Sequence, residues 1–180
     1  MVTKSQLAKI EEKLNERSLA WVIRAGVSGA ADDLFLSGAI ALANSGLGDL
    51  RQLEESRIAF SREYVEGNAG LTMREAGGRA GKYFRFLTEI QSKDVVIFPQ
   101  TSSKDFFFGQ VSGDYHYAND KESGFRHQRK VKWLFRVSKS EFSVAVQREL
   151  GAARTFFSFT RNLRNLIQEL QNVEIEGAKT

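Results

Sequence analysis

Residues 109–134, GQVSGDYHYANDKESGFRHQRKVKWL, hold the densest group of side chains able to do chemistry. Tyr115 and Tyr117 flank His116, a charged loop follows, and a basic run from Arg126 through Arg129, Lys130 and Lys132 ends at Trp133-Leu134. Rings stack on planar groups and cations neutralise phosphates, so a hairpin carrying both could wall a site for a flat, negatively charged ligand. The same run is also ordinary β-hairpin chemistry, in which lysines discourage edge-to-edge strand pairing. Catalysis has a thinner basis. Asp114 and His116 are the one nearby acid–base couple; two apart on a strand they share a face, and they could equally serve the turn. Two histidines and no cysteine exclude a histidine-rich metal centre, thiolate ligation and disulfides. Neither a metal nor a cofactor is expected.

Charge points the same way. Residues 1–120 carry 14 basic and 16 acidic side chains, whereas residues 121–164 carry 11 basic and 3 acidic. Concentrated positive charge is the footprint of a polyanion partner, or simply a solvated basic face. The remaining composition, 42% hydrophobic and 27% charged over 180 residues, fits one globular domain with a helical extension. No apolar run approaches the roughly 18 residues a membrane span needs. MVTKSQLAKIEEKLNERS has no apolar core or cleavage site of a secretory signal. The expectation is a cytoplasmic protein with no membrane partner.

Hydrophobic periodicity supplies the elements that must position these groups. Leu7, Ile10 and Leu14, behind Thr3 or Ser5 as a cap, predict an amphipathic helix over residues 3–17 that must dock or fray. Residues 19–26 read as a buried strand, with Trp21, Ile23 and Ala25 on one face and Val22 and Arg24 on the other. A short helix over 30–38, a strand over 39–44 and a glycine-rich turn over 45–50 follow. A charged helix is predicted over 51–66. Thr72 with Glu75 makes a capping box opening a second helix over 72–91. Gly77, Gly78 and Gly81 lie inside it and predict either a tight contact with a neighbour, the favoured reading, or a helix that starts only near Gly81.

Strands are expected over 93–100, over 105–118 with a bend or bulge at Gly113, and over 126–137. Tyr115 and Tyr117 should share a face opposite His116. In the last strand Lys130 and Lys132 should share a face with Arg126 and Arg136, leaving Arg129, Val131, Trp133 and Phe135 on the other. A capped helix over 138–150, a strand over 156–159, a helix over 161–170 and a frayed tail over 173–180 complete the chain. The whole is an α+β domain over 19–172, preceded by the helix in 1–18. Its mixed, largely antiparallel sheet curls toward a small barrel flanked by helices.

The order WVIRAG, FLSGAIALANSGLGDL, FRFLTEIQSKDVVIFP, FFFGQVSGDYHY, FRHQRKVKWL resembles the modules found N-terminal to Mrr-type restriction nucleases. These modules belong to the PUA-like superfamily with EVE, YTH and ASCH domains. The resemblance runs in order over residues 19–160, and its most specific part pairs GxVxGDYxY with HxRxVKWL. It implies a five- or six-stranded small barrel and a pocket for a flipped, modified nucleobase. Two departures stand out. Leu42-Ala43-Asn44 replaces an expected tryptophan after the second strand, and no D-x(n)-E-x-K nuclease motif is present. Glu11-Glu12-Lys13 has no acidic residue before it. The chain reads as a reader without a cutter.

Reading an extruded base requires a flat slot, fixed groups for the base edge, and cations for flanking phosphates. Trp21, Phe98, Tyr115, Tyr117 and Trp133 are the slot candidates, with barrel core as the alternative for the tryptophans. The resemblance adds Ser28 and Asn44 at the loops around the pocket; Asn44 could instead form the turn before Ser45-Gly46. Arg129 should point into the site beside the aromatics. Arg126, Lys130 and Lys132, with Arg24, Lys82, Arg85 and His127, are candidates for phosphate. The leading expectation is a module that binds DNA carrying a modified base, with RNA as the lesser choice, working with a separate nuclease subunit in modification-dependent defence. One alternative is an ASCH-like enzyme acting on RNA or a nucleotide. Another is an interaction subunit whose N-terminal helix docks a partner or a second copy.

Overall fold

The structure, a computed structural model, describes residues 2–173. The tail expected over 173–180 lies, from residue 174 on, outside them. Among the described residues, six helices and seven strands follow one another: α1 (Lys4–Arg17), β1 (Ala20–Ile23), α2 (Asp32–Leu36), β2 (Ala39–Leu42), α3 (Arg57–Glu66), α4 (Met73–Thr88), β3 (Val95–Pro99), β4 (Asp105–Val111), β5 (His116–Tyr117), β6 (His127–Ser138), α5 (Val144–Leu150), β7 (Phe156–Phe159) and α6 (Leu163–Gln171). The strands form one mixed sheet in the order β2-β6-β4-β3-β1-β7, with β5 on β6. Only β1 and β3 run parallel. The long β6 curls the sheet: its first half pairs with β2 and β5, its second half with β4. β2 and β7 remain as two unjoined edges. The fold is therefore α+β, a half-barrel flanked by helices, and the expected barrel does not close.

Two apolar clusters fill the two faces of this sheet. Trp21, Ile23, Val96, Phe98 and Val131 pack toward α3 and α4. Val22, Val95, Ile97, Phe106 and Phe108 pack toward α1, α5 and α6. The N-terminal helix docks, with Leu7, Ile10 and Leu14 buried in the second cluster. Its apolar stripe is thus buried within the chain. Its N-terminus carries a capping box, in which the Thr3 hydroxyl accepts from the Gln6 N–H and the Gln6 carbonyl oxygen accepts from the Thr3 N–H.

Several expectations are corrected. The bulge falls between Phe108 and Gly109 rather than at Gly113. A Cβ at Gly109 would lie 2.6 Å from Trp133 and 2.8 Å from the Lys132 carbonyl oxygen, so only glycine fits there. Opposite it Leu134 is the extra residue of β6, since Gly109 pairs with Trp133 and Phe108 with Phe135. This flips the pleat: Val131 and Trp133 face the first cluster, Phe135 and Val137 the second. The expected strand over 105–118 is two strands separated by residues 112–115. The helix expected over 51–66 starts at Arg57 with Ser56 as its cap, after a single turn at Leu50–Gln52. Within α4, Cβ atoms at Gly77 and Gly81 would meet α3 at ordinary contact distances of 3.5 and 3.7 Å, and at Gly78 would meet nothing. Close approach does not explain those glycines.

Candidate functional site

The unclosed seam of the half-barrel holds a cavity of about 620 Å³. This lies within the roughly 300–1,000 Å³ typical of small-molecule sites. Arg24 and Thr155 line it from the β1–β7 side, Ala41 from β2 and Ala43 just after it, and Lys82 from α4. Val27 and Ser28 from the loop after β1, Phe125 before β6, and Arg154 before β7 complete the wall. The wall on the β2 side is made of small side chains, Ala41 and Ala43.

Electrostatics favour an anion here. The Lys82 ammonium is half-buried over the Tyr83 ring, 5.1 Å from its centre. Burial, with Arg79 nearby, pushes its pKa below the usual lysine value. Neither Lys82 nor Arg154 forms an ion pair among the described residues. Behind them Arg85 donates from Nη2 to the Phe156 carbonyl at 3.4 Å, while its buried Nε has no partner. Arg24 acts differently: its Nε donates to the Ala152 carbonyl at 3.1 Å and its Nη2 to that of Gly151. It fixes the loop that presents Arg154.

The structure thus brings Arg24, Ser28, Lys82 and, one layer behind, Arg85 together. The other sequence candidates go elsewhere. Asn44 stands beside the cavity with its carboxamide engaged: Nδ2 donates to the Ser123 carbonyl at 2.9 Å and Oδ1 accepts from the Arg126 N–H at 3.0 Å. Its role is to hold the loop carrying Phe125. Arg126 lies over the Tyr117 ring at 4.2 Å and donates to the Ala118 carbonyl. Lys130 lines a separate cavity of about 660 Å³ with Asp114 and His116, and Lys132 lies in a groove against α1. Trp133 is half-buried, its indole N–H donating to the Phe35 carbonyl.

Four slot or cation candidates are inaccessible, and their assignment is corrected. Trp21, 2% exposed, stacks on Phe156 and donates to Asp94 at 2.8 Å. Phe98 is buried between Phe35 and Phe107. Tyr115 and His127 are buried against each other, the tyrosine hydroxyl 2.8 Å from Nδ1. Burial raises the Tyr115 pKa to about 12.

Arg129, 6% exposed, is spent on α4. Its Nε donates to the Phe86 carbonyl at 2.9 Å and Nη2 to that of Leu87 at 2.8 Å, two orphan acceptors of the helix C-terminus. The guanidinium meets them with two separate nitrogens of a rigid fork, which the single nitrogen of an ammonium on a different stem does not reproduce. Arg129→Lys should therefore lower unfolding free energy by about 1.5 kcal/mol in urea titration while leaving ligand discrimination unchanged. A changed discrimination with full stability would restore Arg129 to the site.

Sequence reasoning missed Phe125 and Arg154. A signal existed for the first, a lone aromatic within the polar loop NDKESGFR; Arg154 in GAARTFF carried none. Among the described residues there is no group of three or more His, Cys, Asp or Glu placed to hold a metal, and no helix long and apolar enough to cross a membrane. No curated protein matches the chain. Residues 21–160 match the profile of a family described as a domain of unknown function (DUF8426), a span reaching from the tryptophan of β1 to just beyond β7. The chain belongs to that family.

Proposed function

We propose that the protein is a nucleic-acid-binding module of the PUA-like, EVE-like kind. It takes one modified, flipped base of DNA into the seam cavity, as the reader of a modification-dependent restriction or defence system. A separate nuclease subunit then does the cutting. The observation that carries this reading is the pairing of a base-sized cavity with a half-buried, uncompensated Lys82 on its wall. Phe125 supplies a ring for stacking, and Lys82 and Arg154 supply charge for the flanking phosphates. A neighbouring groove shares Arg154 and adds Arg148 and Arg161, extending the cationic path along the β7 edge.

The test is a binding screen over duplexes bearing methylated or hydroxymethylated cytosine, or methylated adenine, against unmodified controls. One modified duplex should bind more tightly, with affinity falling as salt rises. Equal weak binding to every duplex ends this reading. Phe125→Ala should cost about 5- to 150-fold in affinity for the preferred duplex and erode discrimination. Lys82→Ala should weaken all duplexes alike and lower the slope of log affinity against log salt by about one.

The ASCH-like alternative draws on one arrangement, Asp114 and His116 lining a cavity with Lys130. Turnover of RNA or nucleotides that disappears in His116→Ala would favour it.

A further inference from the structure

The loop after β1 presents an apolar side chain that packs on nothing. Val27 is 87% exposed, the most exposed of the large apolar residues among those described, and lines the seam cavity. Its backbone is held rather than loose. Gly26, Ser28 and Gly29 all have left-handed φ values of 73°, 54° and 79°. The Gly26 N–H donates to the Arg24 carbonyl, Ala30 to Val27, and Ala31 to Ala25, at 2.8–3.1 Å. A non-glycine residue held left-handed is strain that only a well-determined surrounding maintains. The loop is also locked to the ring wall, since a Cβ at Gly26 would come within 2.6 Å of Phe125. The other strongly exposed apolar residues, Ile58 and Val144, stand on α3 and α5 and line none of this cavity.

We infer that the seam site takes its base out of a duplex, with Val27 as the wedge that fills the vacated stack. This rests on the reading of the cavity as a base site. Extrusion leaves a gap between neighbouring base pairs, and an apolar side chain inserted there offsets part of the unstacking cost. A β-branched residue suits that task because few rotamers must be frozen. Lys82 and Arg154 line the same cavity, so the flanking phosphates meet charge as the wedge enters. A single strand offers no gap, and there Val27 contributes nothing.

The experiment compares wild type with Val27→Ala on the best-bound modified duplex of the screen and on the same strand unpaired. Aminopurine placed next to the modified base reports unstacking. The variant should lose about tenfold in affinity for the duplex and less than about twofold for the single strand, with a smaller fluorescence rise. Equal losses on both formats, or no loss on either, overturn the wedge while leaving the base site standing. Wild-type protein that prefers the modified base in neither format overturns the base site itself.

Discussion

Asp94→Ala should lower the unfolding free energy by about 3–5 kcal/mol, read as a large fall in urea midpoint with an unchanged m-value. The carboxylate is 0% exposed and accepts four hydrogen bonds. Arg17 donates from Nε at 2.8 Å and from Nη2 at 3.3 Å, Trp21 from Nε1 at 2.8 Å, and the Gln91 backbone N–H at 3.0 Å. Removing it strands a buried indole N–H and leaves a guanidinium, 21% exposed, with only the Glu89 carbonyl at 3.2 Å and no counter-charge. Unmet buried donors cost more than a made bond contributes, which places this substitution above a typical core truncation.

The position explains the size of the effect. Arg17 belongs to α1, which buries its leucines in one cluster, while Trp21 belongs to the other. Asp94 is the point at which the N-terminal helix, β1 and the turn into β3 are tied across the sheet. Asp94→Asn keeps the shape but aims an N–H₂ at one of these donors, so it should fall between wild type and alanine. The double variant Arg17→Met, Asp94→Ala should lose clearly less than the sum of the two singles, because one interaction is removed twice. Strict additivity, or a loss under about 1 kcal/mol for Asp94→Ala, would show that the cluster does not hold α1 to the sheet.

How much of this was legible follows from the range of each interaction. The capping box at Thr72, a cap at or near Thr3, the docked face Leu7-Ile10-Leu14 and the alternation of β1 are local, and the sequence carries them directly. The β6 pattern was legible only to Trp133: a bulge is set by the partner strand, and the contiguous Trp-Leu-Phe was its one trace. The site was harder. Strand alternation gives the side on which a lysine projects but not what it meets, so Lys130 and Lys132 share a face yet lie at different cavities. Arg129 and His127 look like surface residues by type; carbonyls 42 and 43 residues away and a tyrosine 12 away draw them inside. The convergence of Arg24, Ser28, Lys82, Phe125 and Arg154 depends on where the sheet fails to close, and no local signal records that.

Acid should destabilise the protein through His127 before most carboxylates titrate. The imidazole is 0% exposed, and burial, aided by Arg126 and opposed by Asp49, lowers its pKa to about 4. The Tyr115 hydroxyl accepts from the Leu50 N–H at 3.3 Å and lies 2.8 Å from Nδ1 of His127, while the buried Nε2 has no hydrogen-bond partner for the second proton of an imidazolium. The fold therefore holds the neutral ring, whereas the unfolded chain protonates it near the ordinary value of about 6.5. Above that pH neither state is charged and the histidine costs nothing. As pH falls from about 6.5 toward 4 the unfolded state alone gains a proton, so stability falls; below 4 both states are protonated and the loss stops. At pH about 4.5 the deficit should be of order 2–3 kcal/mol. His127→Gln keeps a polar partner that can donate or accept at Tyr115 and cannot titrate, so its urea midpoint should change far less across the same interval. Parallel pH profiles for the two proteins would mean that the folded ring takes up its proton at the same pH as the unfolded one, and that water reaches it.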